Sequence, residues 1–151
     1  MRDWMKKLGA ARIFFALAAI LACAGLAVYL VNSMTGYYEG GSPDVLIVVF
    51  TAVAAALLVS LLETAGKSGD LAVSLALLLV TVLLSVCVAQ FCLDRVAVAA
   101  DQWFLPGMST DEKGACLAVA IAGVSLYCAS AACVIAAGFT AGRLFEKQTT
   151  R

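Results

Sequence analysis

Four long stretches without a charged residue decide most of what this chain can fold into. They cover 13–31, 45–62, 71–93 and 115–142. A helix needs about 20 mostly apolar residues to cross the hydrocarbon core of a bilayer, and each stretch is close to that length or beyond it. In lipid, every backbone N–H and C=O must be paired within the protein, which leaves helices and closed barrels. Barrel strands alternate apolar and polar residues over roughly ten positions, and these stretches do not alternate. The expected fold is therefore an all-α integral membrane protein: one domain over 1–151, an up-down bundle of four transmembrane helices.

Composition supports this. Of 151 residues, 64% are hydrophobic and 13% are charged, against about 45–50% and 25% in soluble domains. That excess excludes a disordered chain, a collagen-like chain and an ordinary cytosolic enzyme. The formal net charge is zero, so nothing in the charge balance points to nucleic acid.

Turn chemistry falls between the runs. Ser42-Pro43-Asp44 reads as an N-cap, a first-turn proline and an early carboxylate. Gly66 can end the second helix and Ser68 can cap the third. Pro106-Gly107 breaks the chain, and Ser109 and Glu112 stand at capping-box spacing. Asp94 to Leu105 contains no helix breaker. The third helix is therefore expected over about 69–105 and the fourth over about 110–145, each longer than the bilayer core. The excess either stands above the outer surface as a helical hairpin or lies flat on the lipid, anchored by Trp103, Phe104 and Leu105.

Orientation follows from Lys and Arg. Arg2, Lys6, Lys7, Arg12, Lys67, Arg143, Lys147 and Arg151 fall on one side, and only Arg95 and Lys113 on the other. The positive-inside rule places both termini in the cytoplasm of a cell (plasma) membrane. The opposite loops are acidic, with Glu39, Asp44, Asp94, Asp101, Asp111 and Glu112. Trp4, Tyr37, Tyr38 and Trp103 fall near the interfaces. The basic start and Ile20-Leu21-Ala22-Cys23 faintly suggest a cleaved leader, but the apolar run continues to Val31, too long for a signal core.

The spans lack chemical groups. None contains Asp, Glu, Lys, Arg or His, residues whose cost in lipid usually marks an ion or proton path. No phosphate loop, serine elbow or zinc helix motif occurs. No catalytic residue, cofactor or metal site is therefore expected. Cys87/Cys92 and Cys128/Cys133 are five apart, about 140° off alignment on a helix, so neither pair shares a face. Cys87 and Cys128 would lie at similar depth across the third turn.

What remains is packing. Ser125, Ala129, Cys133, Ala137 and Ala141 recur every four residues, with Gly138 and Gly142 beside them; Ala52, Ala56 and Ser60 do the same on the second helix. Small residues let membrane helices approach closely. They serve contact within the bundle or contact with another chain. Gln90, Ser85, Thr81 and Ser130 supply either interhelical hydrogen bonds or a mildly polar path. The leading expectation is a non-enzymatic accessory subunit or scaffold whose partners are the bilayer and another membrane protein or itself. A small oligomeric channel, holin-like pore or carrier is the alternative, and a membrane thiol oxidoreductase the remote one.

Overall fold

The computed structural model describes the backbone of residues 2–35, 42–64, 70–105, 107 and 109–149, and the side chains of 11–35, 42–63, 71–105, 107 and 109–140. It is all-helical: α1 (Arg2–Met34), α2 (Val45–Thr64), α3 (Asp70–Phe104) and α4 (Asp111–Thr149). Each helix carries a segment long and apolar enough to cross a membrane: Ala11–Met34, Val45–Glu63, Leu71–Phe104 and Asp111–Thr140. The chain is a multi-pass membrane protein by this measure.

Local chemistry sets the ends. The N-cap of α2 is Asp44, whose Oδ1 accepts the Leu46 N–H at 2.9 Å; the sequence pattern placed Ser42 there. Pro43 thus precedes the cap instead of opening the first turn. At α4 the cap is Thr110, whose Oγ1 accepts the Lys113 N–H at 3.3 Å, one position beyond the expected Ser109. In both cases the oxygen used is the one next to the first helical residue, where it reaches an otherwise unpaired N–H. Thr35 closes α1 by donating to the Val31 carbonyl at 2.6 Å. Gly107, at φ +92°, takes a left-handed turn conformation that side chains disfavour. The expected caps at Gly66 and Ser68 lie outside the described residues.

Paired positions fix the topology. Ala18, Gly25 and Val28 of α1 meet Ser130, Tyr127 and Gly123 of α4. Leu77, Phe91 and Asp101 of α3 meet Gly138, Gly123 and Lys113 of α4. Numbers rise along one helix as they fall along its neighbour, so the pairs are antiparallel. Each helix packs on its chain neighbours, and α1 packs on α4 to close the ring.

The axis of the bundle is filled. Ala18, Ala22, Leu58, Val80, Leu84 and Ala137 are all buried. Beyond the level where Arg95 and Cys116 meet the end of α1, α3 and α4 continue as a two-helix extension. It is tied by Lys113 Nζ to Asp101 Oδ2 at 2.9 Å and by the Thr110 N–H donating to Gln102 Oε1 at 3.3 Å.

Candidate functional site

The charge-free runs stop at one end of the bundle, and polar groups converge there. Tyr29 and Ser33 come from the last turns of α1, Asp44 from the cap of α2, and Asp94 and Arg95 from α3, just past its apolar run. Together with Ser42, Pro43 and Val45 they line a cleft of about 530 Å³.

The hydroxyl of Tyr29 is the hub. It accepts the Asp44 backbone N–H at 2.7 Å and donates to Asp94 Oδ2 at 3.4 Å. One oxygen therefore ties α1 to the start of α2 and to α3. The Tyr29 ring meets Phe91 edge-on, with centroids 4.9 Å apart at 81°, the geometry that aromatic quadrupoles favour.

Arg95 forms the floor. Its residue is only 7% exposed, so its charge is held by the protein. Nη2 donates to Ser33 Oγ at 2.8 Å. The guanidinium carbon lies 5.6 Å from the Phe91 centroid and 6.0 Å from that of Tyr29, within cation–π range. Asp94 beside it is exposed and Asp44 is half-buried. The cleft thus carries one buried cation and two less buried carboxylate residues. Close by, Asn32 is buried, its Oδ1 accepting the Cys116 thiol at 2.9 Å while its Nδ2 has no hydrogen-bond partner among the described residues.

A second polar cluster lies deeper. Thr51 Oγ1 donates to its own Ile47 carbonyl at 2.7 Å, as helix threonines commonly do. It also sits 2.8 Å from the Tyr127 hydroxyl and 3.5 Å from Cys87 Sγ. The three side chains come from α2, α4 and α3 and are buried. This knot joins three helices where no water can compete.

Two glycines seat the aromatic rings. A Cβ at Gly123 would lie 3.1 Å from Val28 Cγ1 and closer still to the Phe91 ring. A Cβ at Gly25 would lie 3.2 Å from the ring of Tyr127. The spacing rows pointed elsewhere. On α4, Ser125 and Ala129 are exposed, Cys133 is half-buried, and Ala137 is buried. A four-residue step overshoots a helical turn by about 40°, so the row winds from the outer surface into the core. Gly138 lies 3.7 Å from Leu77 Cδ1. Ala141 and Gly142 lie outside the described side chains. On α2, Ala52, Ala56 and Ser60 all face outward.

The polar residues of the spans divide in a similar way. Thr81 donates to Leu77 O and Ser85 to Thr81 O, both at 2.8 Å, within their own helix. Gln90 is half-buried. Ser130 is fully buried and donates across helices to the Ala18 carbonyl at 2.7 Å. Of the cysteines, Cys87 and Cys116 are buried, Cys133 is half-buried, and Cys23, Cys92 and Cys128 are exposed, all as free thiols. Cys87 and Cys128 are not bridged.

Sequence reasoning missed the cleft. Arg95 entered only as a charge outside the membrane, and neither Tyr29 nor Asn32 was singled out. One signal was present. Phe91 and Arg95 are four apart on a helix that does not stop at the membrane, so the guanidinium could fold over the ring on one face.

No family model matches the chain, and no characterised protein or solved structure shows significant similarity to it.

Proposed function

We propose that this chain is a non-enzymatic membrane protein that acts by lateral helix–helix contact, as an accessory subunit or scaffold for another membrane protein or for further copies of itself. The observation that carries this reading is the outward placement of Ala52, Ala56 and Ser60 on α2 and of Ser125 and Ala129 on α4. Between helices in lipid there is little hydrophobic driving force, so association depends on close backbone approach and van der Waals contact. Small side chains on the outer surface permit that approach. In this reading the chain resides in the cell membrane, both termini face the cytoplasm, and the α3–α4 extension lies on the outer side. Eight of its ten Lys and Arg residues support that orientation.

The test is co-purification in mild detergent after in-membrane cross-linking. A discrete assembly larger than one chain is expected. Repeated recovery of a single polypeptide without a partner would overturn the proposal. Ala129 is the position to probe, because Ala137 is buried within the chain's own bundle and a larger residue there would damage the fold itself.

The filled axis bears on the pore alternative. With Leu58, Leu84 and Val134 buried along the centre, a conduit would have to run between copies. Ser60 and Ser85, both on the outer surface, would be the residues to line it.

A further inference from the structure

We infer that the outward face of α3 at and beyond the membrane surface, formed by Leu93, Val96, Ala100 and Trp103, pairs with the same face of a second copy of this chain, the two α3 helices running parallel about a two-fold axis. This rests on the lateral-contact reading and names its partner and its face. α3 has 35 residues, about 50 Å of helix against about 30 Å of hydrocarbon. Its apolar run starts beside Asp70 and ends at Leu93, so the excess lies past Leu93. Antiparallel pairing with α4 continues into that excess: Leu77 meets Gly138, Phe91 meets Gly123, and Gln102 meets Gly114. The end of α3 therefore stands up with α4 instead of folding onto the lipid.

Within lipid an outward apolar residue needs no explanation. Past it, one does. Val96 is 57% exposed and Trp103 62%, and Ala100 between them is half-buried. Leu93, Val96, Ala100 and Trp103 follow steps of three, four and three, the spacing of a seam between two helices. Phe91, Arg95, Val98 and Gln102 take the other side of α3, toward its own bundle. Every charge on this part of α3 turns that way too. Asp94 meets Tyr29 and Arg95 meets Ser33 on α1, and Asp101 meets Lys113 on α4. The residues flanking the seam are Cys92, Ala97, Ala99 and Phe104, none of them charged. A two-fold contact sets each patch against its own copy, so a charge there would meet its like. This face meets that condition. A different helix is commonly selected by flanking charge pairs, and this face offers none. Two copies inserted alike also present their α3 ends at equal height, so the exposed stretch of one meets that of the other along its whole length.

The test is cysteine cross-linking of the full chain in isolated membranes. Cys23, Cys92, Cys128 and Cys133 are first replaced by alanine, leaving only the buried thiols Cys87 and Cys116. Val96→Cys, Ala100→Cys and Trp103→Cys are then made singly. Ala99→Cys, on the groove toward α4, and Ala118→Cys, exposed on α4, are the comparisons. In a parallel two-fold pair, seam residues of equal number face each other. Oxidation should therefore give at least about fivefold more disulfide-linked dimer from the three seam positions than from the other two. Separately, the otherwise unaltered chain carrying one fluorophore is counted in liposomes by stepwise photobleaching, and two copies per spot are expected. Val96→Asp sets a carboxylate against its own copy and should lower the two-copy fraction severalfold.

Equal yields at all five positions overturn the inference, as does a two-copy fraction that Val96→Asp leaves unchanged. Dimer from Ala118→Cys without dimer from the seam also overturns it, but leaves lateral assembly standing through α4. One copy per spot overturns self-pairing, and the count on the otherwise unaltered chain decides this even where a cysteine disturbs folding. If a different membrane protein then co-purifies, the scaffold proposal survives alone. If nothing co-purifies and every spot holds one copy, both fall.

Discussion

A Cβ placed on Gly123 would come within 2.6 Å of Cε1 of Phe91. Real side chains do not approach that closely, so residue 123 must be glycine for α3, α4 and α1 to hold their spacing. Phe91 cannot yield easily. It is fully buried and locked edge-on against Tyr29. Gly123→Ala should therefore cost about 1–3 kcal/mol through overpacking. Gly138→Ala meets only Leu77 Cδ1, at an ordinary 3.7 Å, and should cost well under about 1 kcal/mol. Thermal or denaturant unfolding of the two variants in detergent checks the contrast, and equal effects would contradict the packing described.

The Thr51–Tyr127 contact offers a second test. Thr51→Val keeps the shape and removes the hydroxyl that bridges α2 to α4 at 2.8 Å. A double-mutant cycle with Tyr127→Phe should give a coupling of about 0.5–2 kcal/mol, the range for hydrogen bonds between membrane helices. A coupling indistinguishable from zero would mean that the bond does not hold the two helices together.

Arg95 should respond differently to truncation and to replacement by an apolar isostere. Arg95→Ala leaves a void among Tyr29, Phe91 and Ser33 and should cost about 2–4 kcal/mol. Arg95→Met fills much of that space without a buried charge and should cost less. Unfolding midpoints of the two variants decide the order, and the reverse order would show that the guanidinium's charge outweighs its packing.

The tie between Lys113 and Asp101 is partly buried, with the Lys113 side chain 11% exposed. Lys113→Met should lower overall stability by no more than about 1 kcal/mol. Its effect should concentrate in the extension, as faster amide exchange over 99–105 and 109–117. Unchanged exchange there would show that helix propensity alone keeps the extension together.

Lateral association is probed on the exposed surface of α4. Ala129→Leu adds bulk where the bundle itself has none to accommodate, so monomer stability should stay within about 0.5 kcal/mol of the original. Cross-linked assembly should fall at least severalfold. An unchanged yield of complex would exclude this face as the contact.

The architecture was legible in the sequence because lipid imposes a simple rule. Charge-free runs ended at Glu63, Asp70 and Asp94, and the helices span the runs those residues bound. The continuation of α3 to Phe104 followed from the absence of a breaker between Asp94 and Leu105. Packing contacts were not legible from spacing. A row of small residues at every fourth position, such as Ser125 to Ala137, turns steadily around its helix. The glycines that seat rings, Gly25 and Gly123, belong to no such row, because each is fixed by an aromatic residue on another helix. The cleft escaped for a related reason. Tyr29, Asp44 and Arg95 are far apart in the chain, and only the closing of the ring brings them together.

The two ring seats have a mechanical consequence. Phe91 of α3 occupies the notch at Gly123 of α4, and Tyr127 of α4 occupies the notch at Gly25 of α1. The notches lie about one helical turn apart along α4. A piston stroke of α4 past its neighbours would have to lift both rings out of their sockets at once. Any rearrangement this protein undergoes is therefore steered toward tilting or splaying, pivoting about this latched level while the remainder of the helices swing.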